Sequence, residues 1–318
     1  MKTIQYSVVI PAFNEEPVIA ETYKRLKKVM DEIGEPYELI FVNDGSFDRT
    51  GEILEEIHHH DPNLKAIHFS RNFGHEAATT AGLDHASGQG IIIIDADLQD
   101  PPELIPAMIE KWKQGFEIVY GKRKQRKGES AFKKTTSALF YRFLQRMTEI
   151  NMPADVGDFR LIDRKVADTL KYIREKNRYM RGIISWVGFR QTAIEFVREE
   201  RWAGETKYNF KKLLHLAWDA ITAFSYKPLK IATYLGFSLS GISFVYLIIV
   251  IFEKLFTQKT VPGWASLMAI SLFFNGVVLI MLGLLGEYIG RIYEETKNRP
   301  LYVIHKTHGF DEKSSEHE

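Results

Sequence analysis

Up to Gly121, apolar positions come in short continuous runs, and between those runs they recur at helical spacing. The runs are Tyr6–Pro11, Tyr37–Asn43, Lys65–Phe69, Ile91–Asp95 and Glu117–Gly121. Helices are predicted between them, over Asn14–Ile33, Arg49–His60, His75–Ala86 and Pro102–Gln114. A run such as Ile91-Ile92-Ile93-Ile94 has no polar face, so its strand is covered on both sides. Strands alternating with helices predict an α/β fold built on a mostly parallel sheet. Ligands of such sheets bind beyond the carboxyl ends of the strands. Polar residues collect there: Asn14 and Glu15, then Asn43 to Ser46, then Arg71 and Asn72, then Asp95 and Asp97.

The pattern changes after Lys230. Ile231–Phe252 and Trp264–Gly286 contain no charged residue. As a helix the first run is about 33 Å long, enough for a hydrocarbon core of about 30 Å. Two such runs in tandem predict two transmembrane helices over 230–290, rather than a buried hairpin of a soluble core. Lys227 and Lys230 lie before them, as do Lys207, Lys211 and Lys212; Arg291, Lys297, Arg299 and Lys306 follow. The positive-inside rule then puts both termini in the cytoplasm. The expected organisation is a cytoplasmic domain over 1–229, the spans, and a C-terminal tail over 291–318, charged and disordered after Lys306. Two basic amphipathic stretches, 130–147 and 209–226, are expected as interfacial helices. No leader-like segment precedes the first strand.

Charge and cysteine content narrow the chemistry. Lys and Arg total 42 against 41 Asp and Glu, so no charge excess points to nucleic acid. Cysteine is absent, which excludes disulfides, thiolate nucleophiles and Cys-ligated metals. Neither G-x-G-x-x-G after the first strand nor G-x-x-x-x-G-K-[ST] occurs. Instead Asp95-Ala96-Asp97 closes a buried strand. Two carboxylates two apart on an extended chain point the same way. Held together they call for a cation, and hard oxygen ligands suit Mg²⁺ or Mn²⁺.

Several ordered segments together resemble the family 2 glycosyltransferases of GT-A, Rossmann-like fold: VVIPAFNEE (Val8–Glu16), VNDGSFDRT (Val42–Thr50), SRNFGHEAA (Ser70–Ala78) and DADLQDPPE (Asp95–Glu103). The blocks Val119–Ser130, Gly157–Lys165 and Arg201–Tyr208, followed by the two spans, are similar to the polyisoprenyl-phosphate glycosyltransferases, bactoprenol glucosyltransferases of the GtrB type among them. The resemblance implies transfer of one hexose, glucose first, from a UDP-sugar to a polyprenyl phosphate at the cytoplasmic face of a bacterial inner membrane. It implies inversion, dependence on Mg²⁺ or Mn²⁺, and assembly as a homo-oligomer.

By the same resemblance Pro11, Ala12, Asn14 and Glu15 line the nucleotide end, and Asp44 and Arg71 meet the uracil. Asp95 holds the ribose or a metal-bound water, Asp97 ligates the metal, and Gln99 is a further ligand or a sugar contact. Arg123, Arg126, Arg201 and Lys207 bind phosphates. Asp158 is either a base or a residue that orients the donor sugar or Arg160. GDP-mannose as donor, a processive polysaccharide synthase and a non-enzymatic nucleotide-sugar sensor are the alternatives. The synthases carry Q-x-x-R-W, whereas Arg198-Glu199-Glu200-Arg201-Trp202 has Arg first.

Overall fold

A computed structural model describes residues 4–123, 156–197, 227–257 and 263–310. The predicted runs become β1 (Tyr6–Ala12), β2 (Tyr37–Asn43), β3 (Leu64–Phe69), β4 (Gly90–Ile93) and β5 (Ile118–Arg123). Three more strands complete the sheet: β6 (Val156–Asp163), β7 (Gln191–Phe196) and β8 (Ile304–His308). The order is β7-β5-β6-β4-β1-β2-β3-β8. β3, β2, β1 and β4 form a parallel core. β6 enters antiparallel between β4 and β5, and β8 closes the other edge antiparallel to β3.

The helices are α1 (Ile19–Ile33), α2 (Thr50–His60), α3 (His75–His85), α4 (Ile105–Lys113), α5 (Arg164–Lys171) and α6 (Met180–Trp186). α1 starts later than expected because Asn14 takes a left-handed backbone, φ 54°, and the chain turns before it can coil. All seven positions of β1 and of β2 are buried. Val8, Ile10, Leu39, Phe41 and Ile92 pack with Leu26 and Met30 of α1 and Met108 of α4. α3 lies against β1 and β2. Its small residues allow a close approach: a Cβ on Gly82 would stand 2.2 Å from Val9 Cγ1. Every parallel crossover therefore ends its strand, and starts its helix, at one edge of the core, where the polar loops meet.

The chain divides into two compact units, one carrying this sheet and the other two long helices, α7 (Lys227–Thr257) and α8 (Trp264–Thr296). α7 and α8 pack on each other. Phe273–Thr296 is long and apolar enough to cross a membrane, and none of that stretch is buried. The tail differs from the sequence expectation. Residues 299–310 belong to the sheet unit, and Lys306 and His308 sit within β8. The strand forms because β3 offers an open edge, and Tyr302 stacks on Phe69 with ring centroids 5.2 Å apart. Residues 311–318 and the stretches 130–147 and 209–226 lie outside the described residues.

Candidate functional site

The strand order reverses between β1 and β4, which makes their carboxyl ends the switch point of the sheet. The loops after β1 and β2 are stitched together there. Asn14 N donates to Ser46 Oγ at 2.9 Å, and Phe47 N donates to Asn14 Oδ1 at 2.9 Å. Glu15 N donates to Thr50 Oγ1 at 2.9 Å, and Glu16 N donates to Asp48 Oδ2 at 3.1 Å. Pro11 and Ala12 lie buried in β1, so they offer backbone alone; Ala12 O accepts from Asp44 N at 2.9 Å.

Asp44 ties this pair of loops to a third. Its carboxylate accepts from Asn72 Nδ2 at 2.9 Å, Phe73 N at 2.7 Å and Gly74 N at 3.0 Å. Burial raises its pKa, against the pull of the Phe73 and Gly74 amides. Gly45 has φ 64°, and a Cβ there would lie 2.4 Å from the Arg71 carbonyl carbon, so only glycine lets the loops approach this closely. Arg71 is exposed, its guanidinium 4.0 Å over the Phe73 ring.

Asp95 and Asp97 stand differently from the expectation of two carboxylates on one extended chain. β4 ends at Ile93, residues 96–97 form a turn, and Leu98 has φ 56°. Side-chain alternation therefore does not carry through to Asp97, whose Oδ1 accepts from Gln99 N at 3.2 Å. Asp95 Oδ1 is buried without a hydrogen-bond partner. It faces His75 Nε2 at 3.6 Å. Burial raises the pKa of Asp95, and Asp158 and Asp97 raise it further.

Asp158 arrives on β6, the strand beside β4. Arg181 of α6 grips it in a two-pronged ion pair, Nε to Oδ1 at 2.7 Å and Nη2 to Oδ2 at 2.6 Å. Burial opposes ionisation, yet the Arg181 guanidinium holds the Asp158 carboxyl well below the usual range. A carboxylate so held is a weak base. His75 Nε2 also lies 3.7 Å from Asp158 Oδ2. Glu76 Oε2 accepts from Met180 N at 3.1 Å, fixing α6 to the start of α3. Arg160 is buried and donates to the carbonyls of Asp158 and Gly157 at 3.2 and 2.7 Å, so it serves the β6 backbone.

Arg123, at the end of β5, reaches Asp100 Oδ1 at 3.8 Å across Gly157, where a Cβ would meet its Nη2 at 2.7 Å. Gln99 is half-buried between Asp97 and Asp100. Arg126, Arg201 and Lys207 lie outside the described residues. The site thus gathers Asn14, Asp44, Arg71, Asp95, Asp97, Gln99 and Asp158 at one edge of the sheet. His75, Glu76 and Arg181 were missed by sequence reasoning. The first two lie inside the block Ser70–Ala78, where their position at the start of a helix beside the strand ends was the available signal. Arg181 carried none.

Comparison with known proteins gives two family matches. Residues 7–171 match the model for glycosyl transferase family 2, and residues 227–292 match the GtrB C-terminal hairpin. The uncharacterized glycosyltransferase YkcC of Bacillus subtilis is 60% identical over 310 residues, 98% of this chain and 96% of that one. The SfII prophage-derived bactoprenol glucosyl transferase of Shigella flexneri is 44% identical over 305 residues, 96% of this chain and 99% of that one. A prophage bactoprenol glucosyl transferase homolog of Escherichia coli is 43% identical over 301 residues, 95% of this chain and 98% of that one.

Proposed function

From the premise that the chain belongs to glycosyl transferase family 2 and is a glycosyltransferase bearing the GtrB-type hairpin, we propose that it transfers one hexose from a UDP-sugar to a polyprenyl phosphate. Glucose is the hexose proposed. The observation that carries this reading is the likeness to bactoprenol glucosyl transferases, which runs through both the sheet unit and the hairpin, over 96% of the chain.

The nucleotide would lie across the switch point, with its base toward Asp44 and Arg71 and its diphosphate toward Asp95. Mg²⁺ or Mn²⁺ fits beside it. Asp95 Oδ1 is a buried acceptor lacking a partner, and Asp97 and Gln99 add oxygen donors of the hard type such ions take. The chemistry the ion supplies when bound is neutralisation of the charge that builds on the departing diphosphate. Arg123 at the end of β5, with Arg126, Arg201 and Lys207, would bind the acceptor and donor phosphates as fixed positive charges.

A phosphomonoester has its second pKa near about 6, so the acceptor is already an anion at neutral pH. It needs positioning rather than deprotonation. That agrees with the grip of Arg181 on Asp158, which withdraws the carboxylate from proton transfer. Direct attack of the lipid phosphate on C1, opposite the departing UDP, inverts the anomeric configuration.

Two membrane crossings are part of this reading, and the strand connections support an even number. β8 pairs with β3, so the chain before and after the hairpin lies on one side of any membrane. The number of crossings between them is even. If α8 crosses, another segment crosses with it, and α7 contains 22 uncharged residues from Ile231 to Phe252. The flanking lysines and arginines support a cytoplasmic sheet unit, the side on which a UDP-sugar donor would be met. Incubating the full chain with a panel of nucleotide sugars and undecaprenyl phosphate, with and without EDTA, tests this reading by mass analysis of the lipid. A hexosyl phospholipid from UDP-glucose is expected. Hexose transfer from GDP-mannose alone would overturn the donor, and release of free sugar without a lipid product would overturn the acceptor.

A further inference from the structure

Mg²⁺ and Mn²⁺ take six ligands, and the oxygens of Asp95, Asp97 and Gln99 with a diphosphate need not be the whole set. His75 stands at the first position of α3, and its Nε2 is 3.6 Å from Asp95 Oδ1. That is too long for a hydrogen bond. It falls within the span of about 3 to 4.2 Å open to two ligands each about 2.1 Å from one ion. Asp95 Oδ1 is buried and has no hydrogen-bond partner, so its acceptor capacity is open to a cation shared with the nearby nitrogen. Asp158 Oδ2 is equally near, at 3.7 Å, but both its oxygens are held by Arg181. The helix that carries His75 is anchored. Gly82 is packed on Val9 further along α3, and Glu76, the next residue, is bonded to Met180 N.

We propose that His75 Nε2 is a protein ligand of the divalent cation, sharing it with Asp95 Oδ1. A nitrogen ligand favours Mn²⁺ over Mg²⁺, which prefers an all-oxygen shell. The proposal rests on the reading of the cleft as a cation and UDP site.

The test is pulsed electron paramagnetic resonance on the full chain in detergent with Mn²⁺ and UDP. The wild type is expected to show nitrogen modulation from a directly bound imidazole. His75→Gln is expected to lose it and to weaken Mn²⁺ binding on the order of 10-fold or more. His308→Gln is expected to keep it, because His308 belongs to a separate cluster with Glu55 and His68. Bound Mn²⁺ without nitrogen modulation, modulation that persists in His75→Gln, or modulation that disappears in His308→Gln would each overturn the assignment of His75. The cation reading would survive all three. Failure of the wild type to bind Mn²⁺ in the presence of UDP would overturn both.

Discussion

Arg181 and Asp158 act as a unit, and their pairing decides what Asp158 can do. Two bonds of 2.7 and 2.6 Å keep the carboxylate charged and turned toward the guanidinium. Asp158→Asn is therefore expected to lower transfer without removing a limb from its pH profile. Loss of the acid limb in that variant would restore Asp158 as a base. Arg181→Met strands the carboxylate and should cost roughly 2 kcal/mol of stability, less than a fully buried pair because the Arg181 side chain is 35% exposed. In a double-mutant cycle followed by thermal unfolding, the two changes together should cost less than their sum, and strict additivity would refute the unit. Gly45→Ala asks an L side chain to take φ 64° with its Cβ 2.4 Å from the Arg71 backbone. It should lower the melting temperature and weaken UDP binding together; unchanged UDP binding would show that the loops can part there. The sequence reveals Asp95, Asp97 and Asp44 because they follow apolar strands. It hides Arg181, which the fold alone brings to Asp158 across 23 residues.

Among the elements, the strands of the parallel core and the helices between them are legible from residue patterns because each strand is a short, mostly apolar run followed by polar loop residues. β6 is less so: Gly157–Lys165 reads as a motif, and only pairing with β4 and β5 makes it a strand. β8 is invisible in the pattern, since Ile304-His305-Lys306-Thr307-His308 is mostly polar and its strand character comes from the β3 edge. That edge carries a titratable cluster. Burial, with Lys306 nearby, pushes the His68 pKa from 6.5 down to about 4, against the pull of Glu55. Burial also lowers His308, with Lys306, His58 and His59 adding to it and Glu55 opposing. His305 faces the same cluster.

An imidazole whose folded pKa lies below its unfolded value stabilises the fold fully above pH 6.5 and loses that contribution as pH falls toward 4. For His68 the limit is roughly 3 kcal/mol. Amide exchange in residues 304–308, corrected for its intrinsic rate, should rise between about pH 7.5 and about pH 5. His68→Gln should flatten that rise. Equal protection at both pH values, or the same rise in His68→Gln, would refute the coupling of β8 to these histidines.

At the scale of the whole molecule, the return of the chain to its own sheet makes the membrane topology a parity question. On the proposed topology of two crossings, position 260 should be reached from outside the cell and position 52 should not. The chain has no cysteine, so a single introduced thiol reports its side without background. Thr260→Cys in intact cells should react with a membrane-impermeant maleimide, and Glu52→Cys should react only after lysis. Labelling of both or neither in intact cells would contradict two crossings. The central claim is transfer from a metal-assisted UDP-sugar site to a lipid phosphate, and one measurement tests it most directly. Full-length protein in liposomes with undecaprenyl phosphate is given radiolabelled UDP-glucose and Mn²⁺, and label is counted in the organic phase. The account predicts organic-phase label that requires the lipid phosphate and falls to background with EDTA or in Asp97→Asn. Label confined to the aqueous phase, or lipid labelling undiminished by EDTA and by Asp97→Asn, would contradict it.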